Sequence, residues 1–174
     1  MLPDASVAPQ LPWSVDARVL FALRDLLRGD VDLVDALAAA GGIEIYEMSA
    51  LLEDSTVAAP CLGIVPMAVE ERLVASSYTG SAMVGIGVLI ITQAPATPTD
   101  TQDLLRQRLA ERVRDLVRQN HGVLMEGGTR LTKAVTAIDR VDLSQRRLPS
   151  RGLATLLVLR YETDLDLETR EILE

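Results

Sequence analysis

The sequence predicts an α+β domain, one mainly antiparallel sheet with helices packed on one face. Apolar residues recur at helical spacing over 15–38 and again over 105–117. The segments between and after them follow the two-residue period of strands. One run, Val84 to Ile91, is apolar on both faces at its later end, as expected of a central strand or of a strand whose outer face meets another subunit. A chain of 174 residues is the size of one ordinary domain. Such a domain buries roughly 70% of its unfolded surface, so it needs no disulfide or metal staple. Residues 1–13 read as an extended N-terminal arm, 14–162 as a single α+β domain and 163–174 as an acidic C-terminal tail.

The arm is set by Pro3, Pro9 and Pro12 and by a lack of periodicity. A helix follows, capped by Ser14 or Asp16, with Val15, Val19, Leu20, Leu23, Leu26 and Leu27 on one stripe and Gly29 at its end. Asp30 caps a shorter helix with Val31, Val34, Leu37 and Ala38 inward, and Gly41-Gly42 stops it. Ile43 to Met48 alternates apolar and acidic residues, a short edge strand, and Ser49 to Ala58 reads as irregular. Pro60 opens a strand that Cys61 to Val65 continue as far as Pro66. Val69 to Ser76 and Ala82 to Thr92 then form a hairpin around Tyr78-Thr79-Gly80-Ser81. Thr99 and Gln102 have capping-box spacing before the longest helix. Leu105, Leu109, Val113, Leu116 and Val117 line one side of that helix, and Arg106, Arg108, Arg112, Arg114 and Arg118 fill much of the remainder. Asn120 and Gly122 end it. Strands from Leu131 to Val141 and from Leu153 to Tyr161 close the domain around an arginine-rich loop.

Composition excludes several functions. A structural zinc site needs about four Cys/His ligands, and this chain has only His121 and Cys61. Five aromatic residues give little for base stacking or sugar platforms. A formal charge of −8 argues against general nucleic-acid binding, which depends on phosphate neutralisation. Met1-Leu2-Pro3-Asp4 lacks the basic and apolar regions of a secretion signal. The eight-residue apolar run is too short to cross a bilayer, so synthesis in the cytoplasm and no membrane partner are expected.

No catalytic constellation emerges. Cys61 lies in an apolar strand, where a thiol behaves as a small hydrophobe. His121 ends a helix, where it interacts with the last carbonyls, and no G-x-S-x-G elbow accompanies it. Glu70-Glu71 point to opposite faces of a strand, and Asp30, Asp32 and Asp35 sit where a helix start favours negative charge. Gly85-Ile86-Gly87 lies in strand rather than in a phosphate-binding turn, and Gly127-Gly128-Thr129-Arg130 lacks the P-loop lysine. The expectation is no enzyme, no cofactor and no metal.

Charge is uneven. Residues 1–98 carry twelve acids and four bases, 99–161 are net +5, and 162–174 hold six acids against Arg170. Arg146, Arg147 and Arg151 crowd one loop, which is either a solvated turn or a contact for an acidic surface such as Glu162, Asp164 and Asp166 of a neighbouring subunit. With Leu89 and Ile91 on the outer face of the apolar strand, these residues are the candidate partner and subunit interface.

The order of elements resembles a known family. A leading amphipathic helix and a short helix ending in Gly41-Gly42 precede Ile43-Glu44-Ile45-Tyr46. Ala59-Pro60-Cys61-Leu62-Gly63-Ile64-Val65 follows, then a glycine-tipped hairpin ending in Val84 to Thr92, the helix Thr99 to Asn120, and two closing strands. Over about residues 14–162 this is similar to the tail-terminator (tail-completion) proteins of long-tailed bacteriophages and related phage-tail-like particles. The proline-rich start and acidic end depart from the family pattern and would equally suit another neck or tail-completion component. The resemblance implies a structural virion protein of the tail or neck, a cyclic homo-oligomer (in the family usually a hexamer). Its ring would end tail-tube polymerisation and provide the head-tail docking surface. Its partners would be the tail tube protein and the head-tail connector or neck protein, with DNA only passing through the lumen. A different class, a soluble ligand-binding or regulatory α+β domain that dimerises, stands beside it and would need a pocket between helix and sheet.

Overall fold

The computed structural model describes residues 14–37, 42–53, 58–73, 79–93, 97, 99, 101–143 and 153–166; side chains are not described at 52, 53, 73, 79, 165 and 166. Its elements are α1 (Val15–Arg28), α2 (Val31–Leu37), β1 (Ile43–Ile45), α3 (Met48–Glu53), β2 (Cys61–Leu73), β3 (Thr79–Thr92), α4 (Gln102–Gln119), β4 (Met125–Glu126), β5 (Thr129–Arg130), β6 (Ala134–Asp142) and β7 (Leu153–Asp166). The fold is α+β. Five strands form one sheet in the order β1-β2-β3-β7-β6, antiparallel except for the β1–β2 pair.

The main core lies between this sheet and α1, α2 and α4. Val19, Leu23 and Leu27 of α1, Leu33 and Leu37 of α2, and Leu109, Val113 and Val117 of α4 meet Ile64, Ile86, Val88, Ile90, Leu157 and Leu159 on the inner face. Tyr161 is buried there too, its hydroxyl without a hydrogen-bond partner, and burial pushes its pKa up. On α2 the buried pair is Leu33 and Leu37, whereas Val31 and Val34, expected inward, are exposed. The cap sets this phase: Asp30 Oδ1 accepts from the Leu33 N–H at 3.0 Å and turns Leu33 toward α1 and the sheet.

The opposite face carries a second, smaller core. Leu51 of α3 covers Cys61, Val65, Leu89, Ile91 and Ala154, with Met48, Tyr46, Leu143 and Leu156 around it. This corrects the irregular segment expected over 49–58. The strand at Ile43 stops at Ile45, and a helix of six residues begins at Met48. One helical turn is too short to display a period, so only the spacing of Met48 and Leu51 hints at it. A β-carbon on Gly63 would fall inside the Leu51 side chain, so the absence of a side chain at 63 is what lets α3 settle on β2.

The strands expected over 60–65 and 69–76 are one strand, β2, running through Pro66. The register slips between Pro66 and Val69, a bulge on the stretch of β2 that lies beyond its pairing with β1. β6 has a matching irregularity between Val135 and Ala137, and it begins at Ala134 rather than Leu131. A two-residue hairpin precedes it, turned by Gly127 and Gly128 at φ 55° and 92°. β7 continues to Asp166, four residues into the segment assigned to the acidic tail, and pairs with β3 from Leu153↔Thr92 to Asp166↔Thr79.

The fit of α3 over Gly63 makes a quantitative prediction. Gly63→Ala should destabilise by about 1–3 kcal/mol through overpacking, and Leu51→Ala by about 2–4 kcal/mol through a cavity. The double variant should lose less than the sum, because the smaller side chain at 51 makes room for the new methyl. Urea denaturation of the four proteins reads the coupling. Strict additivity would mean that the two positions do not oppose each other.

Candidate functional site

The proposed interface residues divide into three groups. Leu89 and Ile91 are fully buried under α3. The apolar outer face of β3 is therefore satisfied within the chain at these two positions, which corrects their assignment to an open contact surface. Arg146, Arg147 and Arg151 lie outside the described residues. Glu162 and Asp164 are partly buried on β7, one strand pitch apart, and the backbone of Asp166 continues the same strand.

Side chains alternate along β7, so Leu157, Leu159 and Tyr161 enter the main core while Glu162 and Asp164 point to the outer face. Across the sheet Glu162 lies beside Met83, and Met83 beside Glu70; Asp164 lies beside Ser81, and Ser81 beside Arg72. Glu70, weighed from sequence only as a candidate for carboxylate chemistry, and Arg72, not singled out, are on the exposed stretch of β2 past the bulge. The hairpin expected over 69–76 and 82–92 already sets both beside β3. Lys133 Nζ contacts Asp164 Oδ2 at 2.6 Å, and the Lys133 N–H donates to the Glu162 carbonyl at 2.7 Å. Thr163, facing the other way, donates to the Leu131 carbonyl at 2.6 Å. The outer face at this end thus carries a mixed, mainly acidic surface on rigid strands. Leu89 and Ile91 are at the far end: Leu156, opposite Leu89, is six residues before Glu162, about 20 Å along the strand.

The residues weighed for catalysis have structural roles. Cys61 is buried in the second core. His121 sits at φ 52°, the left-handed position just past the end of α4. Its N–H donates to the Arg118 carbonyl and that of Gly122 to the Val117 carbonyl, a Schellman closure of the helix. Gly122 (φ 71°) passes so close to Val135 that a β-carbon would strike the Val135 backbone. Thr132 ties the same corner by donating to the Gly122 carbonyl at 2.8 Å and accepting from the Leu124 N–H at 2.9 Å. Among the described residues no group of three His, Cys, Asp or Glu is placed to hold a metal ion. No helix among them is long and apolar enough to cross a membrane.

Asp30 is the best-defined charged site. Besides capping α2 it accepts from Arg112 Nε at 3.1 Å and Nη2 at 2.6 Å, a two-pronged bridge between α2 and α4. Asp32 lies 3.3 Å from the same guanidinium. The Arg112 hydrogen bonds hold the Asp30 carboxyl below its ordinary value of 3.8, against the opposing effect of desolvation. Arg106 differs from the solvated position expected for it. It is buried beneath α4, where Nε donates to Thr155 Oγ1 at 3.1 Å and Nη2 lies 3.0 Å from Asp103 Oδ1. α4 starts at Gln102, so the cap position is Thr101, which makes no side-chain cap bond, rather than the Thr99 expected.

No protein-family model matches the sequence, and no curated protein matches it.

Two outcomes follow from this geometry. His121→Gly should raise stability by about 0.5–1 kcal/mol, because glycine adopts the left-handed position without the β-carbon penalty; a thermal melt with no gain would place the strain elsewhere. For Asp30 the folded pKa is depressed, so its contribution is complete above the unfolded value near 3.8 and is lost as pH falls through the folded value. Asp30→Asn should therefore show a shallower fall in stability over that acid window than the parent. Parallel acid limbs in the two pH–stability curves would contradict this assignment.

Proposed function

We propose that the protein is a structural virion component without catalytic activity. It forms a cyclic homo-oligomer, a hexamer in the reading taken from the tail-terminator resemblance, that ends growth of a tail tube and provides the docking surface for the head side. The observation that carries the reading is the uneven charge along the sequence, together with the acids that β7 carries on its outer face. In the sequence Arg146, Arg147 and Arg151 fall between β6 and β7. Glu162 and Asp164 lie nine and eleven residues further along β7, with the nearer about 30 Å from Leu153. In this reading the arginines between β6 and β7 of one copy are paired with carboxylates of another. A neighbouring copy can present them, and such heterologous contacts repeat around a closed ring. Guanidinium groups suit this task through paired, charge-assisted hydrogen bonds to carboxylates.

The tail tube protein and a head-tail connector or neck protein are the partners in this reading, and tail or neck of the virion is the location. A net charge of −8 favours passage of DNA through the lumen without adhesion.

The test is mass together with salt. The parent should give a species near six times the 18.9 kDa chain mass, free or in assembled particles, and association should weaken as salt rises. Changing Arg146, Arg147 and Arg151 to serine should leave the fold within about 1 kcal/mol of the parent but reduce association and flatten its salt dependence. Monomer alone, in solution and in particles, would overturn the ring. Unchanged association across the salt series would reduce the loop to a solvated turn.

A further inference from the structure

Among the described residues only α3 packs on the outer face of the sheet, and it covers one end, where Leu51 sits over Gly63 beside Leu89 and Ile91. The other end, where β2 runs past its bulge, is open. There Met83 of β3 faces outward between Glu70 of β2 and Glu162 of β7, its partners in register on either side. The two acidic positions are two strand spacings apart, about 10 Å at the backbone. Towards the middle of the sheet this face turns apolar. Gly85 and Gly87 follow Met83, the Met67 sulfur lies beside Gly87, and the half-buried Val158 pairs with Gly87. Met67 is 37% exposed.

Asp164, the next outward acid on β7, is held by Lys133. Glu70 and Glu162 form no ion pair among the described residues, although Arg72 and Arg160 lie two residues away from them on the same strands. A face with an apolar middle and a carboxylate on each side fits a segment of the opposite pattern, apolar in the middle with a base on each side. The chain has such a stretch. In Arg146-Arg147-Leu148-Pro149-Ser150-Arg151 two arginines precede Leu148 and Pro149, and one follows.

We infer that residues 146–151 of a second copy seat on this face, with Leu148 on Met83 and the arginines on Glu70 and Glu162. The inference rests on the ring reading above and adds to it the receiving surface, in which β2 and β3 share the work with β7. Three paired strands hold the two carboxylates at a fixed spacing, and guanidinium groups meet each of them through paired, charge-assisted hydrogen bonds. The apolar contact between Leu148 and Met83 is not screened by salt, so association weakens with salt without vanishing.

The experiment uses the full-length chain as two variants. The acceptor variant carries Glu70→Gln and Glu162→Gln; the donor variant has Arg146, Arg147 and Arg151 changed to serine. By sedimentation velocity at low salt each should associate at least about tenfold more weakly than the parent. A one-to-one mixture should recover pairs and stop there. Each mixed pair holds one intact contact, the arginine segment of the acceptor variant on the face of the donor variant, and lacks the next. Glu70→Gln alone, at an exposed position, keeps the comparison if the double variant does not fold. Failure to form mixed pairs would overturn the inference, and docking of the segment on its own chain gives that result. An acceptor variant that associates like the parent would overturn it while leaving an arginine-dependent ring in place. A parent that stays monomeric in solution would also overturn it, and the mass found in assembled particles would then decide the ring separately.

Discussion

Everything in this domain is referred to β3, which has neighbours on both sides and a covered core on each face. It pairs with β7 from Thr79 to Thr92 and with β2 from Gly80 to Ile91. A strand in that position cannot alternate apolar with polar, because each face must be dry where it is covered. Ile86, Val88 and Ile90 therefore serve the helices α1 and α4, while Leu89 and Ile91 serve α3. Gly85 and Gly87 occupy outer-face positions where added β-carbons would collide with Ala68 and Met67 or with Val65 and Leu156, so the neighbouring strands themselves supply the cover there. Two-sided burial of one strand thus dictates a thick layer of helices on one side and a thin one on the other.

Long elements with many repeats of their period were legible in the sequence: α1, α4, the later part of β3, and the start of β7. Short or interrupted ones were not. α3 is under two turns, and β2 passes through a proline that ordinarily ends a strand but is accommodated by a bulge. The inward face of α2 was misjudged because a seven-residue helix with Val31, Leu33, Val34 and Leu37 offers two competing stripes, and the phase is settled by the Asp30 cap and its bridge to Arg112. Burial of Arg106 was hidden by its arginine neighbours, since nothing local distinguishes the one that points at a strand from those that point at water. Among the candidate interface residues, Asp164 and Asp166 were read as tail, because the acidic run after Tyr161 hid the continuation of β7. The apolar pair could not be placed, because the sequence of β3 does not say whether its second face is covered by its own chain.

Several side chains weighed for chemistry hold the fold. The lone histidine closes a helix through backbone geometry, the lone cysteine fills a core, and the Asp30 carboxylate bridges two helices. Polar side chains buried in the sheet region largely secure loops, as Thr132 and Thr163 do around Gly122 and Leu131. Exposed charges of both signs lie on the strands, Glu70, Glu71 and Arg72 on β2 and Asp139 and Arg140 on β6.

The irregularities in β2 and β6 bear on a different stage of the protein's life. Both fall on strands with an unpaired side, one between Pro66 and Val69 and the other between Val135 and Ala137, and charged residues (Glu70, Glu71, Arg72, Asp139, Arg140) accompany them. A flat, regular border on either flank would recruit any passing β-segment, including the border of an identical chain. Kinked and charged borders refuse that adhesion. Freshly made copies can therefore accumulate at high concentration without zipping into open-ended ribbons.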